Sequence, residues 1–304
     1  MNILKSFGLD CSRFIVIMGG PGSERDVSLR SGSCVAKALL SAGAQVTEID
    51  MTGTEVIIPE EAELVFNLVH GTFGEDGRLQ ALLENQGFAY TGEGVDESRV
   101  AFDKILTKKA LEKSGVPTPR WEIIREGEFP SLPLPMVIKA PRQGSSVGVH
   151  LVHTVEDIAP ALADCFLHGE EVLVEELVQG RELTIGILGK EALPVVEIKP
   201  RTGFYDYTNK YTKGATDYLV PAPLSVAETE AVQSVALAAN EALGLKVYCR
   251  VDVLLPPSGP TVLEINTIPG MTETSLLPKA AAASGLDFVS LCCKIASLSL
   301  AART

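Results

Sequence analysis

CRVDVLLPPSGPTVLEINTIPGMTETSLLP, residues 249–278, contains two runs of alternating character, RVDVLL and TVLEIN, on either side of the segment Pro256–Pro260. Side chains alternate between faces along a strand, so the stretch reads as a β-hairpin. With the turn centred on Ser258, Asp252 lies opposite Glu264 and Arg250 opposite Asn266, all on one face. Val251, Val253, Leu263 and Ile265 then share the other face and point into a core. Two carboxylates directly opposite on one face repel each other. A divalent cation between them removes that cost, and Asp, Glu and Asn offer hard oxygen ligands suited to Mg²⁺. A solvated polar face fits the same pair. The glycine and hydroxyl groups of IPGMTETS, directly after the second strand, favour a ligand, because such a loop binds carboxylate or phosphate.

Upstream, VAETEAVQSVALAANEALG (226–244) has helical apolar spacing and a glycine stop. Residues 202–218, TGFYDYTNKYTKGATDY, hold four of the six tyrosines and no Leu, Ile, Val or Met. A polar aromatic loop of that length is a functional lid or a disordered segment. EVLVEELVQGRELTIGIL (171–188) reads as two strands joined through Gln179–Gly180, and PMVIKAPRQGSSVGVHLV (135–152) as strand, Gly/Ser loop, strand. DKILTKKALEKS (103–114) is a helix, and the Pro-rich GVPTPRWE after it marks a domain boundary. Before that point RFIVIMGG (13–20), AQVTEID (44–50) and AELVFNLVHG (62–71) read as strands. They alternate with helices over 27–43 and 77–87, which predicts an open α/β sheet for about the first 100 residues. Phe288 to Ala302 reads as a final core-packing helix.

Three loops could carry chemistry. KAPRQGSSVGV (139–149) is not a Walker A loop, because Lys139 precedes the glycines. Its backbone N–H groups and serines could close over phosphates with Lys139 reaching in from the strand, or it could be a plain turn. GGPGSERDVS (19–28) follows a strand end, the usual ligand position in open α/β sheets. Glu24 there either holds an amine or only caps the next helix. VHGTFGEDG (69–77) brings His70 to the same region, as a ligand or as a packed histidine.

Composition limits the classes. Hydrophobic residues are 46% and charged residues 21% of the 304, a globular composition of two domains or three small ones. The 26 basic against 39 acidic residues give −13, which excludes a general nucleic-acid binder but not a local basic pocket. Lys139 to His150 is such a stretch, with Lys139 and Arg142 and no acid. MNILKSFGLDCSRF has no long apolar run, so neither a signal peptide nor a membrane segment is expected there, and the expected location is cytoplasmic. The six cysteines, among them the vicinal Cys292 and Cys293, form no C-x-x-C pair or zinc spacing and read as buried reduced thiols.

The set of motifs resembles D-alanine–D-alanine ligases of the ATP-grasp superfamily. The matching pieces are GGPGSERDVSLRSG, LVHGTFGEDG, FDKILTKKAL, KAPRQGSSVGV, VEELVQGRELT, YDYTNKY, CRVDV and LEINTIPGMTETSLLP, in the family's order over about residues 14–280. The resemblance implies an ATP-grasp fold, α/β and α+β, with three domains around a central cleft. These are an N-terminal open parallel sheet (1–102), a central subdomain with the glycine loop (103–188) and a C-terminal domain with lid and metal site (189–304). It implies ATP-driven joining of two D-alanines through an acyl phosphate, for peptidoglycan precursor synthesis. ATP and Mg²⁺, two ions with Mn²⁺ as a substitute, are the implied cofactors. D-alanine is the partner substrate, and a homodimer, with no nucleic acid or membrane, is the implied assembly.

Residue by residue, the resemblance makes Glu24 the holder of the first D-alanine's ammonium, with His70 near that substrate. Lys104, Lys139 and Lys210 become phosphate lysines, and Ser145 links to Tyr211 of the lid. Glu175, Glu176 and Val178 become the adenine segment, with Glu182 at the ribose. Arg250 stabilises the tetrahedral intermediate, Asp252, Glu264 and Asn266 hold magnesium, and Gly270 donates to the oxyanion. Ser275 and Leu276 form the pocket of the second D-alanine. Three positions depart from the pattern: PGSE replaces a more usual T-S-x-E, Glu176 stands where lysine is frequent, and Cys249 where glycine is common. A D-alanine–D-lactate ligase and an inactive ATP-binding module are the alternatives. Asn209-Lys210-Tyr211 and the intact set of site residues argue against them.

Overall fold

The computed structural model describes residues 3–9, 12–144, 147–201 and 214–303. Three sheets organise them. The first is parallel and has the order β2-β1-β3, built from β1 (Arg13–Gly19), β2 (Gln45–Met51) and β3 (Leu64–Asn67). Six of the seven β1 residues are buried, as a continuous apolar run requires. Gly19 and Gly20 turn the chain at φ +86° and +91°, which favours glycine, and deliver Glu24 to the start of helix Arg25–Ser41. β3 is shorter than the run 62–71. The Asn67 side chain accepts from the Val69 N–H at 3.0 Å and donates to the Gly74 carbonyl at 3.1 Å, so the chain leaves the sheet there and loops through His70.

The second sheet is antiparallel, with β4 (Trp121–Arg125), β5 (Met136–Lys139), β6 (Val149–Val152) and β7 (Glu171–Glu176) in the order β4-β7-β5-β6. Met136, Ile138, Val172 and Val174 pack on helix Ile158–Phe166. Val137, Lys139 and Glu175 alternate to the other face. β4 begins at Trp121, inside what reads as connector in the sequence.

β8 (Arg181–Leu188), β9 (Glu191–Ala192), β10 (Val196–Pro200), β11 (Thr216–Leu219), β12 (Tyr248–Leu255) and β13 (Thr261–Asn266) form the third sheet. Its order is β11-β10-β8-β12-β13, with β9 on β8. Of the expected lid 202–218, residues 202–213 lie outside the described residues, and Thr216 already belongs to β11. The two strands of 171–188 part company: β7 stays in the second sheet while β8 pairs with β10 and β12. The sheet boundary therefore falls between Glu176 and Arg181, earlier than residue 188, because the Leu177–Gly180 link carries the chain from one sheet to the other.

Helix Val226–Ala242 opens with a reciprocal Ser225/Glu228 capping box and covers the back of the third sheet. Its Val232, Val235, Ala236 and Ala239 meet Leu183, Ile185, Val251 and Val253. Cys249 also points to this side, its thiol 3.3 Å from Asn240 Oδ1, and so turns away from the face that carries Arg250. A separate core joins the first sheet to the C-terminal helices, from Phe14 and Leu39 to Leu277 and Ile295. Among the described residues no single helix is long and apolar enough to cross a membrane; Leu276–Ala283 and Phe288–Ala301 bend by 103° and contribute to this core.

Candidate active site

The hairpin pairs as its sequence pattern predicts up to one irregularity. Arg250 lies opposite Asn266 and Asp252 opposite Glu264. The register then shifts, so that Val253 meets Val262 and Leu254 meets Thr261. The bulge leaves Leu263 without a partner position. Val262, fully buried, takes the core place expected for Leu263, and Leu263 instead lines the cavity in front of the sheet.

That cavity, about 260 Å³, lies between the cleft faces of the second and third sheets. Its apolar walls include Val137, Val149, Leu151, Val178, Leu254 and Leu263. Lys104, Lys139, Glu182, Asp252 and Glu264 supply charge along it. An apolar-walled cavity with lysines in its lining suits a base carrying phosphates. Asp103 positions one of those cations. Its Oδ1 accepts from the Ile105 and Leu106 N–H groups and caps the helix Lys104–Lys113, while its Oδ2 accepts from Arg142 of the glycine loop at 2.6 Å. Lys104 then reaches the Gln143 carbonyl at 2.8 Å and Glu264 at 3.5 Å.

The Glu175 carboxylate is buried between two ammonium groups, Lys139 at 2.5 Å and Lys108. Burial alone raises its proton affinity, but the two lysines outweigh it and hold the group below the ordinary carboxylate range. Glu176 turns outward instead. Its side chain accepts from the Arg120 backbone N–H at 3.0 Å and pairs with the Arg120 guanidinium at 2.7 Å, so only its neighbourhood, not its charge, is given to the cavity.

Arg250 and Asp252 form a two-pronged pair on one strand, Nε to Oδ1 at 2.9 Å and the second nitrogen to Oδ2 at 2.7 Å. Thr184 on β8 donates to Asp252 Oδ1 at 2.5 Å. The donor set Asp252, Glu264 and Asn266 has two carboxylates and an amide oxygen on neighbouring strands, Asp252 and Glu264 lining this cavity and Asn266 the gap beside it. These are hard ligands for Mg²⁺, and the set fits that ion.

A second cavity of about 250 Å³ is lined by Glu24, His70, Arg250, Asn266, Gly270 and Ser275 among others, with Leu276 at its edge. Here loop residues and helix starts join strand residues such as Arg250 and Asn266 in the walls. His70 is buried, with Nε2 3.3 Å from Ser31 Oγ and Nδ1 3.5 Å from Glu75. Ser31 also accepts from the Met271 N–H at 3.1 Å, tying the histidine to the loop that contains Gly270. Ser275 Oγ accepts from the Thr272 N–H at 3.0 Å, and a Cβ on Gly270 would fall 2.9 Å from that oxygen. The glycine loop closes on this region: a Cβ on Gly144 would fall 2.5 Å from Glu24 Oε2. A small gap, lined by Glu24, Lys104, Arg250, Glu264 and Asn266, connects the two cavities, and Arg250 lines all three spaces.

Of the residues selected from sequence, Lys104, Lys139, Glu175, Glu176, Val178, Glu182, Arg250, Asp252 and Glu264 gather at the first cavity. Glu24, His70, Arg250, Asn266, Gly270, Ser275 and Leu276 gather at the second. Ser145, Lys210 and Tyr211 lie outside the described residues. Sequence reading missed Lys108, Thr184, Ser31 and Glu75, and placed Leu263 in the core. Only Lys108 carried a usable signal, since it sits four residues after Lys104 and shares its helix face.

The family model for the D-ala D-ala ligase C-terminus matches residues 109–297. A D-alanine–D-alanine ligase of Methylacidiphilum infernorum is 49% identical over 285 residues, covering 93% of this chain and 94% of that protein. One from Syntrophotalea carbinolica is 44% identical, covering 92% and 93%. The crystal structure of D-alanine–D-alanine ligase from Bacillus anthracis complexed with ATP superposes with a TM-score of 0.86 at 33% identity, covering 97% of this chain and 98% of that one.

Proposed function

This chain belongs to the D-alanine–D-alanine ligase family, and from that premise we propose how its two cavities divide the reaction. It is an ATP-dependent ligase of the ATP-grasp fold that joins two D-alanines for cell-wall synthesis, with ATP and Mg²⁺ as its cofactors. The first cavity takes ATP, its base against Val137, Val149, Leu151 and Leu263 and its phosphates towards Lys104 and Lys139. The second takes both D-alanines. The observation that carries this division is Arg250, the side chain common to both cavities and to the gap between them.

The chemistry then follows from position. A carboxylate oxygen of the first D-alanine attacks the γ-phosphorus and ADP leaves. The amine of the second attacks the acyl carbon, loses a proton, and phosphate departs. Glu24 holds the first substrate's ammonium beside His70. Ser275, with Leu276, receives the second substrate's carboxylate. The Gly270 N–H and the Arg250 guanidinium stabilise the oxyanion, whose charge exists only as the acyl carbon becomes tetrahedral. Asp252, Glu264 and Asn266 would hold Mg²⁺, which when bound neutralises phosphate charge. Ser145, Lys210 and Tyr211 complete the closure on the resemblance alone.

Three domains are proposed: 1–102, a central unit from 103 that ends in the Leu177–Gly180 link, and the remainder to 304. The break at that link is supported by the divergence of β7 and β8 into different sheets. A cytoplasmic homodimer is proposed from family membership, and light scattering of the purified chain tests its mass. The activity test is release of ADP and phosphate that requires D-alanine, with the product identified at about neutral pH in D-alanine alone and with D-lactate added. D-alanyl-D-alanine is expected in both. Predominant depsipeptide, or ATP binding without D-alanine-dependent turnover, would overturn the reading.

A further inference from the structure

Lys108 is 1% exposed, deeper than any other lysine in the described residues, and the chemistry above gives it no task. An ammonium group is not buried without partners that repay its lost hydration. Its partners are Glu175 and the Thr118 hydroxyl, 2.6 Å away, which itself donates to the Val262 carbonyl at 2.8 Å. The other oxygen of Glu175 meets Lys139 at 2.5 Å. The charges along Lys108–Glu175–Lys139 are thus plus, minus, plus.

Without Lys108 the buried carboxylate would cancel Lys139 and leave a neutral pair facing the nucleotide cavity. With it, the triad keeps one net positive charge. Lys108 itself does not line the cavity, while Lys139 and Glu175 do. Lys104 and Lys108 stand one helical turn apart on the helix Lys104–Lys113, so one capped helix delivers a cation to the cavity end and another behind its wall.

We propose that Lys108 is a positioning residue for nucleotide binding, which offsets Glu175 so that Lys139 remains an effective cation for the phosphates of ATP. The proposal rests on the assignment of this cavity to ATP and on Lys139 facing its phosphates. Lys108→Met keeps the length and apolar stem but removes the charge. Its dissociation constant for ATP should rise about tenfold or more, with D-alanine KM and saturated turnover changed much less. Lys108→Met combined with Glu175→Gln restores one net positive charge at Lys139 and should recover most of the lost affinity. It also removes the uncompensated buried carboxylate, so it should fold where the single variant does not.

Lys139→Ala is the control for the underlying assignment. If Lys139→Ala leaves ATP affinity unchanged, the assignment of the cavity has failed. If Lys139→Ala weakens ATP binding while folded Lys108→Met binds ATP like the parent, the cavity stands and the role of Lys108 is overturned. A double variant that folds yet binds ATP no better than Lys108→Met, or about tenfold worse than the parent where the single variant does not fold, overturns it as well. A folded Lys108→Met with weakened ATP binding but unchanged D-alanine KM, whose ATP affinity the double variant recovers, is the result a merely structural lysine would not give.

Discussion

The cavity proposed for ATP is walled largely by strands, whose residues follow the two-residue alternation of a sheet. Val137 and Lys139 share a face of β5, Val149 and Leu151 a face of β6, and Arg250, Asp252 and Leu254 a face of β12. The cavity proposed for the D-alanines takes Glu24 from a turn after β1, His70 from a loop after β3, and Gly270 and Ser275 from the loop after β13. Beside the first cavity Glu175 is buried between Lys139 and Lys108, ion pairs between regular elements, while at the second His70 and the Gly270 loop are tied through single hydrogen bonds to Ser31. Regular walls fix distances for a cofactor that is the same at every turnover. Loop walls can move as two substrates enter and a dipeptide leaves.

The comparison can be broken most severely at the carboxylates proposed to hold the metal. Glu264→Gln or Asp252→Asn should lower kcat by about a thousandfold or more, and chelation of divalent metal should abolish turnover of the parent. Steady-state rates against Mg²⁺ concentration check both, and near-normal activity in either variant removes the pair as metal ligands. A pH series sharpens the nucleotide side. Burial pushes Lys108 down to about 8, against the opposing pull of Glu175. Glu175 on β7, Lys139 on β5 and Glu112 on its own helix are the charges that face it. Lys108 is charged below that pH and neutral above it, so the triad falls from one net positive charge to none as pH rises. ATP affinity should therefore weaken above about pH 8. Lys108→Arg should flatten this step, since guanidinium stays charged.

Glu93 probes neither cavity. Its buried carboxylate accepts from the N–H groups of Lys246, Val247 and Tyr248 at 2.9, 2.8 and 3.1 Å and fastens the segment between helices Arg78–Asn85 and Val95–Phe102 to the start of β12. Glu93→Ala should cost about 3 kcal/mol of stability, read by denaturant unfolding, while the ATP dissociation constant of the folded protein stays within about threefold. The smallest effect is expected at Glu176. Its pairing with Arg120 at the exposed rim is worth at most about 1 kcal/mol, so Glu176→Ala should shift ATP affinity by less than about threefold in a titration.

The same contrast explains what could be read from the sequence. Arg250, Asp252, Glu264 and Asn266 were legible from residue types alone, because alternation and a hairpin turn set their register. Leu263 was misplaced because a one-residue bulge has no marker in TVLEIN. β8 was grouped with β7 because the Leu177–Gly180 link resembles a hairpin turn while it carries the chain between sheets. From its turn Glu24 reads as an amine holder or a helix cap, and the family resemblance was needed to choose and to place His70, since loops bring the two together from strand ends that no local pattern relates. Lys108 was passed over because a lysine on a helix usually faces solvent, and only the packing of β7 and Thr118 against it reveals a buried one.

Arg250 belongs to both halves of the comparison, and Arg250→Ala tests most directly whether the two cavities work as one site. Turnover and ATP dissociation constant should be measured on the same folded preparation. If Arg250 acts on charge that develops in the reaction, kcat falls by about a thousandfold while ATP affinity stays within about threefold. An equal loss of both, or a loss of ATP affinity alone, would contradict the account.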